Sequence, residues 1–124
     1  MEIGYYDKCL DDIEDLSDND KTSKELLQKA VEDFKVIDFN KALLSRIVAP
    51  LEGVKKEIKA ILKNNNYIAN VFEYRDFPKS YPFRIVFIIK NDKTYAILIA
   101  TVIHGKMNKR FNETINKRLK MLFL

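Results

Sequence analysis

FRIVFIIKNDKTYAILIATVIHGK, residues 83–106, decides how this chain is read. Two runs rich in Ile, Val, Phe and Tyr flank the polar segment NDK, which is the composition of strands joined by a turn. A third such run, YIANVFEYR, lies across DFPKSY, so residues 67–75, 82–90 and 94–104 read as three consecutive antiparallel strands. No glycine fixes the 90–94 turn. With a three-residue loop Lys90 would face Thr94 and Arg84 would face Ala100, placing Arg84 and His104 on one side of the sheet. A slip of one residue separates them.

On either side of this block the apolar spacing becomes helical. Between Asn40 and Asn64 it runs through Leu43, Leu44, Ile47, Val48, Leu51, Val54, Ile58, Ile61 and Leu62. Pro50 suits a first helical turn better than an interior, so the segment reads as a short helix, a bend near Ala49 and Pro50, and a second helix to about 63. Asn64, Asn65 and Asn66 supply a left-handed stop, and Lys55, Lys56, Lys59 and Lys63 fall on the outer face, as solvated charge or as a phosphate-tracking surface. Ile3, Tyr6, Cys9, Leu10, Ile13 and Leu16 predict an acidic amphipathic helix over 3–16. Thr22 and Glu25 form a capping box for a second helix over 23–35, while FKVIDF at 34–39 is either a helix end or a short strand. Phe111, Ile115, Leu119 and Leu122 predict a last short helix, ending in the apolar MLFL that the core or a second subunit must cover. The expectation is one α+β domain over 1–124, with N-terminal helices packed on a three- to four-stranded antiparallel sheet and a C-terminal helix.

The net charge of +4 conceals a division along the chain. Residues 1–33 hold 11 acids against 4 bases, net −7, and residues 34–124 hold 18 bases against 7 acids, net +11. The chain therefore reads as an acidic N-terminal helical extension, 1–33, on a basic body, 34–124. Clustered Lys and Arg release counterions from phosphates, so the body suits a polyanion. The extension either packs on the core as an ordinary helix pair or folds over the basic surface and competes with a phosphate ligand. No apolar run is long enough for a membrane span, the opening MEIGYYDKCLDD has no basic region or continuous apolar stretch, and Cys9 is unpaired. The expectation from these features is a cytoplasmic protein.

Much chemistry is excluded by composition. Gly4, Gly53 and Gly105 are the only glycines and form no phosphate-cradling loop; one His and one Cys make no zinc site; there is no Gly-x-Ser-x-Gly. DLSDND at 15–20 lacks the Gly and Glu of a calcium loop, since Ser23 and Lys29 occupy those positions. Catalysis, if present, is expected to use neither metal nor cofactor. What remains is a C-terminal set: Glu73, Arg75, Lys79, Tyr81, Arg84, His104, Lys106, Lys109 and Arg110. Metal-free RNA cleavage needs a base for the ribose 2′-hydroxyl, cations for the phosphorane and an acid for the leaving oxygen. Histidine and arginine can provide these.

The stretch from Arg75 to Met107 resembles the C-terminal strands of the RelE/ParE superfamily of bacterial toxins from toxin–antitoxin modules. Phe83-Arg84-Ile85-Val86-Phe87 stands for the family's "fPyrIvF" element and Val102-Ile103-His104-Gly105-Lys106 for its "vlHgkR" ending. The resemblance covers about 35 of 124 residues. It implies paired helices on a curved antiparallel sheet, in a family that begins with a strand and a helix pair; FKVIDF is the candidate first strand. It also implies neutralisation by a cognate acidic antitoxin, and action either on mRNA at the ribosome as an endoribonuclease or on DNA gyrase. Carried over by motif, Arg84 steadies the scissile phosphate and His104 acts as general acid. Arg75 joins them as a catalytic candidate, with Lys79, Lys106, Lys109 and Arg110 contacting nucleic acid. A homodimer is compatible with this reading. The alternative is a non-catalytic binding, immunity or regulatory protein that holds its partner on a basic sheet surface.

Overall fold

The computed structural model describes residues 1–19, 21–75, 83–103 and 106–124, and the side chains of all of these except 16–19, 21–23 and 103. The elements are β1 (Glu2–Tyr5), α1 (Asp7–Asn19), α2 (Lys21–Lys35), α3 (Phe39–Leu44), β2 (Val48–Pro50), α4 (Lys56–Asn64), β3 (Phe72–Tyr74), β4 (Phe83–Ile89), β5 (Tyr95–Ile103) and α5 (Lys109–Leu122). The fold is α+β, but the sheet is five-stranded and mixed, in the order β1-β5-β4-β3-β2, where three to four antiparallel strands were expected. β3, β4 and β5 form the antiparallel meander. Two further strands, one at each edge, come from segments whose spacing predicted helix.

β1 is the first correction. Ile3 and Tyr6 fit a helical stripe, yet Glu2–Tyr5 pairs parallel to β5, with Glu2 N–H donating to Thr94 O at 3.0 Å and Tyr6 N–H to Leu98 O at 2.9 Å. Gly4 weakens any helix here, and the ring of Tyr95 covers the face where its Cβ would stand. β2 is the second. Asp38 caps α3 by accepting from Lys41 N–H, Ser45 closes it, and Arg46 at φ 63° turns the chain into β2, antiparallel to β3. FKVIDF thus holds a helix end and a helix cap, and the chain's first strand is β1. Asn66, at φ 66°, is the left-handed stop after α4. The Thr22 side chain of the expected capping box lies outside the described residues.

β4 has all seven residues buried because helices cover both faces of the sheet. Phe83, Ile85, Phe87 and Ile89 join Cys9, Leu27, Phe34, Phe39 and Ala42 in a core beneath α1, α2 and α3. Phe87 is the hub, its ring centroid 4.7 Å from Phe34 and 5.9 Å from Phe72. Val86 and Ile88 join Ile58, Leu62, Ile115 and Leu119 in a second core beneath α4 and α5. The acidic N-terminal residues therefore pack on the core as a helix pair. Of the final MLFL, Leu122 and Phe123 pack on the second core while Met121 and Leu124 are exposed.

The β4–β5 hairpin closes through four residues, since Lys90 N–H donates to Tyr95 O and Lys93 adopts φ 61°. A bulge shifts the register between Val86 and Phe87, so Arg84 faces Val102, not Ala100. Beyond Leu98, β5 has outrun β1 and its open edge is closed by side chains: Asp12 of α1 accepts from Thr101 N–H at 3.2 Å, and Arg118 of α5 donates to Ile99 O at 2.9 Å. No helix among the described residues is long and apolar enough to cross a membrane.

Candidate functional site

Arg75 and Arg84 are brought together by strand register. Phe72↔Phe87, Glu73↔Val86 and Tyr74↔Ile85 pair across β3 and β4, and the next step of that ladder sets Arg75 opposite Arg84. Glu73, Arg75 and Arg84 share the face that carries the second core, at the end of the sheet away from the β4–β5 turn. Arg75 holds Glu73 at 3.5 Å, donates from Nη2 to Arg46 O at 3.1 Å, and its N–H donates to Ile47 O at 2.6 Å. The same side chain thus secures the left-handed turn at Arg46 and lines the site.

Arg84 is 3% exposed. Its Nη1 donates to Phe83 O at 3.1 Å, and its Nε has no hydrogen-bond partner among the described residues. Burial holds this guanidinium below its ordinary pKa, Glu73 works against that, and Arg75 adds to it. The electrostatic coupling and the register agree that the three groups form one cluster, two cations against one carboxylate.

A cavity of about 370 Å³ opens at the Glu73 and Arg75 side chains of this cluster, with the buried Arg84 outside its lining. Glu73 and Arg75 form its floor; Ala49, Pro50, Leu51 and Glu52 form one wall; Met107 and Asn112 form the other. The first wall is held by α5. Gly53 sits at φ 82°, with Asn112 Nδ2 2.7 Å from where a Cβ would be. Asn116, buried, accepts from Lys55 N–H at 3.0 Å and donates to Gly53 O at 3.0 Å and Asn112 O at 2.9 Å. One side chain thereby satisfies a backbone donor and two backbone carbonyls.

Lys106, Lys109 and Arg110 are exposed on the segment that enters α5, beside the Met107 wall. Asn108 caps that helix by accepting from Phe111 N–H at 3.0 Å. His104 and Lys79 lie outside the described residues. Arg75 and Arg84 are thus adjacent, and Lys106, Lys109 and Arg110 are exposed next in sequence to the wall residues Met107 and Asn112. Among the described residues no group of three or more His, Cys, Asp or Glu is placed to hold a metal ion. Cys9 is fully buried and its thiol is pushed up to about 12 by burial, with Asp12 adding and Arg118 opposing, so it is inert as a nucleophile.

Sequence reasoning missed Asn112, Asn116 and Glu52. The signal for the asparagines was available: they stand four apart on a helix, Asn116 beside buried Ile115, where apolar residues belong. The arrangement offers guanidinium groups and lysines for an anionic group, with Glu73 limiting the charge. Neither a family model, nor a curated protein, nor a solved structure matches this chain.

Proposed function

We propose that the chain is a toxin-family protein of the RelE/ParE type, acting on translation or on DNA gyrase and held in check by an acidic antitoxin. The observation that carries this reading is the pairing of Arg75 with Arg84 on adjacent strands, Arg75 lining a cavity whose Met107 and Asn112 wall is flanked in sequence by the exposed basic residues Lys106, Lys109 and Arg110. The order of elements is a further support: a strand, β1, then the α1–α2 pair, is how the resembled family begins. In the cleaving version, Arg75, Lys106 and Lys109 hold the phosphate and His104 supplies the proton. Antitoxin binding neutralises the net +11 of residues 34–124.

A second reading, binding without catalysis, is favoured by the burial of Arg84. A guanidinium 3% exposed and bonded to its own strand positions backbone more readily than it meets a scissile phosphate. Expression in a bacterial host with RNA-cleavage and gyrase assays decides between the readings. Growth arrest with RNA cleavage, both lost in His104→Ala and reduced in Arg75→Lys, supports the nuclease. Arrest with gyrase inhibition and intact RNA supports the gyrase poison. Harmless expression with no nucleic-acid binding overturns both toxin readings and leaves the binding module.

A further inference from the structure

The two edges of the sheet are unlike. β2 is three residues long and ends in Pro50, which has no N–H to offer an incoming strand. β1 carries neither proline nor bulge. Its even-numbered residues face β5, as the Glu2 and Tyr6 hydrogen bonds show, so the N–H and C=O groups of Ile3 and Tyr5 point outward. Among the described residues those groups have no backbone partner. Beside them lies a groove of about 410 Å³, with Tyr5, Leu27 and Val31 at its base and Lys24, Gln28 and Glu32 of α2 along its side. Tyr5 is 38% exposed.

We infer that this edge is the interface of a homodimer, in which β1 of one copy pairs antiparallel with β1 of a second about a two-fold axis through Gly4. The surface is complementary to itself, which is what a two-fold interface requires. With Gly4 opposite Gly4, Ile3 of each copy exchanges both hydrogen bonds with Tyr5 of the other, and the charged Glu2 stands opposite Tyr6 rather than another Glu2. Ile3 and Tyr5 project to the same face as their β5 partners Ala96 and Leu98, so the exposed Tyr5 ring is laid against the Ile3 of the second copy.

The helix above agrees with the strand. Met1 N donates to Lys35 O, which fixes the start of β1 beside the end of α2, and α2 runs back along the groove that Tyr5 shares. From Met1 to Gly4 is about 10 Å of strand, equal to about seven residues of helix, so the axis passes close to Gln28. About Gln28, Lys24 of one copy faces Glu32 of the other while the uncharged Gln28 meets itself. Glu32 is held within its own chain by Lys35 at 3.1 Å but remains 70% exposed, open to a second cation. The pairing joins two sheets at β1 and leaves the Arg75 end of each, three strands away, free for its target.

Sedimentation of the full chain over a wide concentration range is expected to show a monomer–dimer equilibrium. Lys24→Glu weakens it roughly tenfold, Lys24→Glu with Glu32→Lys restores it, and Tyr5→Lys weakens it, with circular dichroism unchanged throughout. The register is read by disulfides: Ile3→Cys chains mixed with Tyr5→Cys chains crosslink, and neither crosslinks with itself, Cys9 being buried. A protein monomeric at every concentration overturns the inference. So does a dimer indifferent to both Lys24→Glu and Tyr5→Lys, or one in which Tyr5→Cys crosslinks to Tyr5→Cys.

Discussion

Asp12 and Arg118, 106 residues apart in sequence, form a two-pronged ion pair across the open edge of β5: Arg118 Nη1 donates to Asp12 Oδ2 at 2.7 Å and Nη2 to Oδ1 at 3.0 Å. The pair ties α1 on one face of the sheet to α5 on the other, and each partner also closes a backbone group of β5, Thr101 N–H and Ile99 O. The hydrogen bonds to Asp12 are the main reason the Arg118 pKa is raised, with burial opposing. It replaces, for one stretch of β5, the strand that β1 is too short to provide.

Arg118→Ala leaves the Asp12 carboxylate and the Ile99 carbonyl partly buried without partners, and is expected to cost about 2–4 kcal/mol in denaturant unfolding. Asp12→Asn, which keeps an acceptor for Thr101, costs about half as much. A double-mutant cycle on the pair should return a coupling of at least about 1 kcal/mol. Additive single effects would mean that the two helices are not linked through it.

Asn116→Ala removes two hydrogen bonds that hold the 53–55 loop to α5 and a third within α5, to Asn112 O. The expected loss is about 2–3 kcal/mol, with faster amide exchange at Lys55 as the local signature. Gly53→Ala forces a side chain into φ 82° and against Asn112, so it should destabilise by about 1 kcal/mol or more, without the change at Lys55 N–H if the Asn116 bonds survive. Under the proposed function, target binding should weaken in both, because these residues support the cavity wall.

Phe87→Ala opens a cavity among Phe34, Phe39 and Phe72 and is expected to cost about 3–5 kcal/mol. Lys56→Ala, on the exposed start of α4, should stay within about 0.5 kcal/mol. Thermal unfolding of the two variants side by side checks this.

The Cys9 thiol, raised from 9.0 to about 12 by burial, ties stability to alkaline pH. Between those values the unfolded chain has lost the proton and the native chain keeps it. The contribution is therefore complete below pH 9 and falls as pH rises toward 12, by up to about 1.4 kcal/mol per pH unit. Cys9→Val should flatten that part of the stability curve, and a thiol reagent should label the native wild type only at the rate of unfolding. Fast labelling at neutral pH would contradict the burial.

Much of the fold was legible because its signals are local. The Ile-, Val- and Phe-rich run of β4 announced a strand, NDK announced the hairpin, Asn66 announced the end of α4, and the four-residue spacing from Phe111 to Leu119 announced α5. β1 and β2 were not legible. Ile3 and Tyr5 satisfy a two-residue period and Ile3 with Tyr6 a helical one, so only the presence of β5 decides between them. The Val48–Pro50 strand likewise exists because the left-handed turn at Arg46, secured by Arg75, delivers it to β3.

The site divides in the same way. The types of residue it uses, arginines on two strands and a basic run ahead of α5, follow from the sequence. Their neighbours follow only from register: a one-residue bulge sets Arg84 opposite Val102, and the β3–β4 ladder sets Arg75 beside it. Sequence alone determined the helix and strand content of most of the chain and the basic character of its C-terminal half, because propensity, turn chemistry and charge act within a few residues. Tertiary structure alone decided the two edge strands, the burial of Arg84 and the closing of β5 by Asp12 and Arg118. The edge strands and the closing of β5 rest on hydrogen bonds whose partners lie tens of residues away, and the burial of Arg84 on the packing of β4 between its neighbours; no local pattern records which of several possible partners will be met.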